Sequence, residues 1–142
     1  MQSQAQAYQT SSVMSKSPLE LLILVYAGAI GALKEAEVAF IEGADERGVV
    51  AIGRARKFVT HLYTTLDFAE GGKIAQNLAG LYVFVIEKLY VAQSTKDAAL
   101  IGSLKEILED IRSGWEGVAE QTPAAKPTAA PEKAPGALAL RG

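Results

Sequence analysis

The chain contains no cysteine, a single histidine and a single tryptophan among its 142 residues. Without thiols there is no disulfide, no thiolate nucleophile and no Cys-ligated metal, a pattern that fits a reducing compartment. Aromatic residues make up only 7% of the chain. The longest uncharged apolar runs, Leu21–Leu33 and Ile74–Ile86, fall short of the roughly 20 residues needed to span a bilayer, so no membrane insertion is expected. No basic segment followed by an apolar one opens the sequence, so no secretory signal is expected. Period-two alternation is absent too, which argues against strands.

The two signs of charge nearly balance. The formal net charge is −2. From Gln121 onward, Lys126, Lys133 and Arg141 stand against Glu132, leaving the tail at +2 and the body, residues 1–120, at −4. An acidic body with scattered basic residues gives no electrostatic footprint for nucleic acid.

What the chain does have is aliphatic surface. It is 49% hydrophobic, mostly Ala, Leu, Ile and Val, which suits helices packed on helices. One domain with one core fits this length. Residues 1–16 are polar, rich in Gln and Ser, and read as an extended arm. Ser17-Pro18-Leu19-Glu20 is a capping box with Pro at the first helical position. The helix it starts is expected to run to about Glu42, with Leu22, Tyr26, Ala29, Leu33, Ala36 and Phe40 inward. Gly43 ends it.

Asp45 is expected to cap a second helix carrying Ile52, Ala55, Val59, Leu62 and Leu66. Asp67–Gly72 reads as a turn, followed by a third helix over about 73–94. Ser94 or Thr95 is expected to cap a fourth, displaying Leu100, Leu104, Ile107 or Leu108, Ile111, Trp115 and Val118. Short connections between helices of similar length predict an all-α, antiparallel up-down four-helix bundle. The domain reading is an arm over 1–16, a bundle over 17–120 and a tail over 121–142. The tail mixes Pro with Ala and is expected to be disordered, since it offers little burial against its ordering entropy.

Candidates for chemistry are few. His61 lies beside core-facing Leu62, where a phosphotransfer histidine could be displayed, but the neighbouring Lys and small residues of such sites are missing. Glu35, Glu37, Glu42, Asp45 and Glu46 read as a solvated face rather than a metal site, because no ligand at helical spacing completes them. No catalytic residue, cofactor or metal is assigned. Gly28 and Gly31 sit inside a helical pattern, so they form no phosphate loop. Each costs about 1 kcal/mol relative to Ala, a cost offset by close approach of either a bundle neighbour or a partner helix.

The most informative stretch is Leu78–Val91. Leu78, Leu81, Tyr82, Val85 and Leu89 form one stripe, while Val83, Phe84, Ile86, Tyr90 and Val91 fall largely outside it. The first helix likewise carries Leu21, Leu24 and Val25 off its main stripe. Surplus apolar surface on two helices exceeds what monomers usually expose and predicts a partner or a covering segment.

These residues resemble a known family. Ala7-Tyr8-Gln9-Thr10, Val13, Ser17-Pro18-Leu19-Glu20-Leu21 and Tyr26-Ala27-Gly28-Ala29-Ile30 resemble the start of the FliS family of flagellar secretion chaperones. Leu66-Asp67-Phe68, Gly71-Gly72-Lys73-Ile74-Ala75-Gln76-Asn77-Leu78 and Leu81-Tyr82 resemble its second turn. Asp97, Leu104, Leu108, Ile111-Arg112 and Trp115 resemble its last core helix. The chain departs from the family at Ala27, where Asp is common, and at Ser15-Lys16, where Thr-Ala is common. The arm also lacks a second Tyr.

The resemblance implies a chaperone of the bacterial cytosol without catalysis. Its partner would be the disordered C-terminal segment of flagellin, which becomes helical on the chaperone, is kept from polymerising and is delivered to the flagellar type III export gate. A helix-in-groove mode is expected, with the groove lined by Leu21, Leu24, Val25, Gly28, Ala29, Leu81 and Val85 and gated by Tyr8 and Val13 of the arm. Two other readings stay open: a phosphotransfer module acting through His61, and a self-associating bundle whose extra apolar surface is a homodimer interface.

Overall fold

The computed structural model describes residues 16–121. Within them lie four helices: α1 (Pro18–Ile41), α2 (Asp45–Thr64), α3 (Phe68–Thr95) and α4 (Ala98–Gln121). The all-α expectation holds. The arm with Tyr8 and Val13, and the tail beyond Gln121, lie outside the described residues.

Helix α1 begins as its sequence dictates. The Ser17 hydroxyl accepts from the Glu20 amide at 3.1 Å, and the Ser17 amide donates to Glu20 Oε1 at 2.9 Å. Two amides that the helix leaves without partners are thereby satisfied. Gly43, at φ +79°, closes the helix in the left-handed region that glycine adopts without strain.

The other boundaries differ from expectation in three places. Asp45 is the first residue of α2 rather than its cap; Ala44 occupies that position without a side-chain hydrogen bond. Asp67–Gly72 is not an open turn. Asp67 caps a helical turn through Oδ1, which accepts from the Glu70 amide at 3.0 Å, and this turn merges into α3 across Gly72 at φ 53°, ψ −129°. Between α3 and α4, Ser94 and Thr95 remain helical. Lys96 reverses the chain at φ 55°, and Asp97 caps α4 by accepting from the Leu100 amide at 3.1 Å.

The helices pack in cyclic order: α1 on α2, α2 on α3, α3 on α4, and α4 back on α1. Connections this short between cyclic neighbours make successive helices antiparallel. The contacts of α1 with α2 and α4 are the most extensive, and those of α3 with α4 the slightest. Helices α1 and α3 therefore stand on a diagonal. The core is made by the expected stripes: Tyr26, Leu33, Ile52, Val59, Leu62, Tyr82, Leu89, Leu104, Leu108 and Trp115 are all fully or almost fully buried. On α4 the buried member of the Ile107/Leu108 pair is Leu108, with Ile107 at the margin.

Candidate binding surface

Both α1 and α3 turn apolar side chains outward. On α1 the outward face bears Leu21, Leu24, Val38 and Ile41, with Leu24 at 44% exposure. Leu24, Gly31 and Val38 are spaced by seven, so they stack along one line, and Gly31 has open space over its Cα. On α3 the outward face bears Val83, Phe84, Tyr90 and Val91, with Tyr90 at 56%. The Arg56 guanidinium of α2 lies 4.3 Å from the Tyr90 ring centroid and donates to Gln93 Oε1 at 3.2 Å. The Lys88 ammonium sits 5.7 Å from the Phe84 ring. These cations flank the α3 face.

The residues expected to line one groove divide into three groups. Leu21 and Leu24 are exposed on α1, and Val25 is half-buried against the core. Ala29 and Val85 are at 0% exposure: they belong to the core, which corrects their assignment to a groove. Leu81 is half-buried on α3. The two helices also do not share a groove. Because α1 and α3 are diagonal, their outward faces point away from the core on opposite sides of the bundle. Periodicity identified the surplus on each helix; it could not say that the two surpluses face apart. It also did not single out Val38 and Ile41, although their seven-residue and three-residue offsets from Gly31 and Val38 were available.

The glycine pair separates in the same way. A Cβ on Gly28 would lie 2.6 Å from the Phe58 ring of α2, so Gly28 permits close packing inside the bundle. Gly31, by contrast, faces outward.

The remaining candidates carry little chemistry. His61 is exposed near the end of α2, its carbonyl accepting from the hydroxyls of Thr64 at 3.3 Å and Thr65 at 2.8 Å. The carboxylates read as a solvated face are paired with cations: Glu35 with Arg54 at 2.7 Å, Glu37 with Lys105 at 2.9 Å and Glu42 with Arg47 at 2.8 Å. Among the described residues no group of three metal-ligating side chains converges. Helix α3 is long and apolar enough to cross a membrane by length and composition, a point the uncharged runs alone did not show. Its buried stripe is part of the bundle core.

The buried polar groups are at the centre. The Tyr26 and Tyr82 hydroxyls hydrogen-bond to each other, their ring centroids 6.4 Å apart. Burial pushes Tyr26 up to about 12, an effect tempered by its bond to Tyr82 and by the nearby Trp115 indole. That indole Nε1–H comes close to Tyr26 yet completes no hydrogen bond of full geometry. Burial likewise holds Tyr82 well above the ordinary phenol range, reinforced by Tyr26.

Comparison with known proteins accounts for this arrangement. Residues 1–122 match the model of the flagellar protein FliS family. The chain is 34% identical to the flagellar secretion chaperone FliS of Salmonella typhimurium (strain LT2) over 119 residues, covering 80% of this chain and 85% of the relative. It is 31% identical to the flagellar secretion chaperone FliSB of Pseudomonas aeruginosa over 109 residues, covering 76% and 86%. The fold superposes on a solved bacterial flagellar chaperone with TM-score 0.70 at 19% identity, covering 84% of this chain and 99% of the other. The chain belongs to the FliS family, whose members are flagellar secretion chaperones rather than a class of enzyme.

Proposed function

We propose that this chain is a cytosolic export chaperone for flagellin, binding its disordered C-terminal segment until delivery to the flagellar type III export gate. The observation that carries the reading is the apolar outward face of α1, with Leu21, Leu24 and Val38 exposed around the open Gly31. A folded monomer gains nothing by leaving such a stripe in water, where each buried Leu or Val is worth about 1.5–3 kcal/mol. An amphipathic client helix laid along it recovers that free energy. The same helix is thereby kept from pairing with another flagellin.

The α3 face offers a second apolar strip on the far side. A client occupying both has to pass around the bundle, so the binding surface is two separated strips joined by the client. Coupled folding of this kind spends several kcal/mol on ordering the client, which keeps the complex releasable at the gate.

The test is calorimetry with a flagellin C-terminal peptide. Leu24→Asp is expected to remain helical by circular dichroism and to lose most of the binding heat. Val85→Asp is expected to lose the fold, because it places a charge among core side chains. Binding by Leu24→Asp equal to that of the unaltered chain would sink the reading.

A further inference from the structure

Charge is distributed unevenly around the bundle. Helix α4 carries Glu106, Glu109, Asp110, Glu116 and Glu120 against Lys105 and Arg112, five acids to two bases. Helix α1 has three acids to one base. On the opposite side α2 has four bases to two acids, and α3 is balanced at two of each. The α1/α4 side is therefore acidic, whereas Arg56 and Lys88 sit over the rings of the α3 face.

The segment after α4 has the complementary sign. Residues 122–142 carry Lys126, Lys133 and Arg141 against Glu132. Their only large apolar side chains are Leu138 and Leu140, in the run Ala137-Leu138-Ala139-Leu140-Arg141. The family match stops at residue 122, so this apolar run with its terminal Arg lies beyond the part that the family model matches.

The register of the bundle places its origin. Lys105 of α4 pairs with Glu37 of α1, and Trp115 lies beside Tyr26. Both pairs fit one antiparallel alignment. Six residues beyond Trp115, about 9 Å at helical rise, Gln121 is level with Glu20 and Leu21. The described residues thus end beside the exposed leucines at the start of α1. The residues between Gln121 and Leu138 span up to about 50 Å at roughly 3.3 Å each, more than the length of α1.

From this we infer that the run Ala137–Arg141 docks on the outward face of α1, with Leu138 and Leu140 against Leu21, Leu24 and Gly31. Arg141 then faces the acidic α1/α4 side. The α3 face is disfavoured as its seat because Arg56 and Lys88 would meet Arg141. Two leucines make a weak free ligand, but tethering raises their effective concentration to the order of millimolar. The docked run is an in-chain occupant that a client must displace. Only this consequence rests on the proposed function; the docking stands apart from it.

The absence of native cysteine gives a clean test on the full chain. A nitroxide on Ala139→Cys should selectively broaden amide signals of Leu21, Leu24 and Gly31 and spare Val83 and Val91. Adding Leu138→Ser and Leu140→Ser to the labelled chain should abolish that broadening, and raised salt should weaken it. Uniform signals along α1, or broadening centred on α3, would overturn the inference. So would broadening found only when spin-labelled and isotope-labelled copies are mixed, which would assign the run to a second molecule. No client is present, so failure here leaves the chaperone reading to its own calorimetric test.

Discussion

Tyr26 and Tyr82 join hydroxyls across the diagonal of the bundle, linking two helices that are not packing neighbours. Each is almost completely buried, so each hydroxyl depends on the other for a partner. Replacing either one by Phe leaves the other hydroxyl buried without its bond, at a cost of about 1–3 kcal/mol. Replacing both removes the mismatch and should cost less than the sum of the single changes. Denaturant titration of Tyr26→Phe, Tyr82→Phe and the double variant reads this coupling directly.

The same pair sets an alkaline limit on stability. Burial raises the folded pKa of Tyr26 from 10 to about 12, so the folded state holds its proton where the unfolded chain releases it. Stability from this group is fully present below pH 10 and is lost as pH rises toward 12, at up to about 1.4 kcal/mol per pH unit. Tyr82 shifts in the same direction. The double Phe variant should lose less stability between pH 10 and 12 than the unaltered chain, and chemical denaturation across that window measures the difference.

Gly28 and Gly31, one turn apart on α1, should respond in opposite directions. A side chain at Gly28 meets the Phe58 ring, so Gly28→Val overpacks the α1–α2 contact at about 1–3 kcal/mol. Gly31 opens to solvent, and Gly31→Ala should stabilise the helix by about 1 kcal/mol. Thermal unfolding of the two variants would show Tm moving down for the first and up for the second.

Lys96 ends α3 at φ 55°, where an L-residue is strained, while Gly43 holds the corresponding role after α1 at φ 79°. Lys96→Gly should raise stability by up to about 1 kcal/mol by relieving that strain, and Gly43→Ala should lower it by a similar amount. Equal midpoints for Lys96→Gly and the unaltered chain in urea would show that the turn is held by other contacts.

The four helices were legible because their stripes and the Ser17/Glu20 box are local signals. The boundary at Gly72 was not, since one glycine can open a turn or join two helical pieces, and packing decides which. Ala44 was missed as a cap because Asp45 is the better capping residue by type, and Asp97 because Ser94 and Thr95 cap comparably and residue type alone does not fix where the chain reverses. The surplus on α1 and α3 was readable as composition. Its division between opposite sides was not, because helix order around a bundle depends on contacts such as Lys105 with Glu37 and Gly28 with Phe58, far apart in sequence. Ala29 and Val85 lie on the main stripes of their helices, so their burial was readable from periodicity, and only the resemblance-based groove drew them outward.

The opposed faces also limit what a client can be. A single helix of about 20 residues is roughly 30 Å long and covers one strip, leaving Phe84 and Tyr90 or Leu24 and Val38 in water. A client that engages both strips gains through linkage, since its second contact forms at a high effective concentration. Cutting such a client peptide between its two helical segments should weaken binding by about 10²–10⁴-fold while leaving each half able to bind its own strip. With the intact client, Leu24→Asp and Phe84→Asp in the chaperone should each reduce affinity to about that of the half bound by the remaining strip. Calorimetry on the two halves, alone and together, checks the relation: halves that bind as tightly as the intact peptide would show that one strip carries the whole interaction.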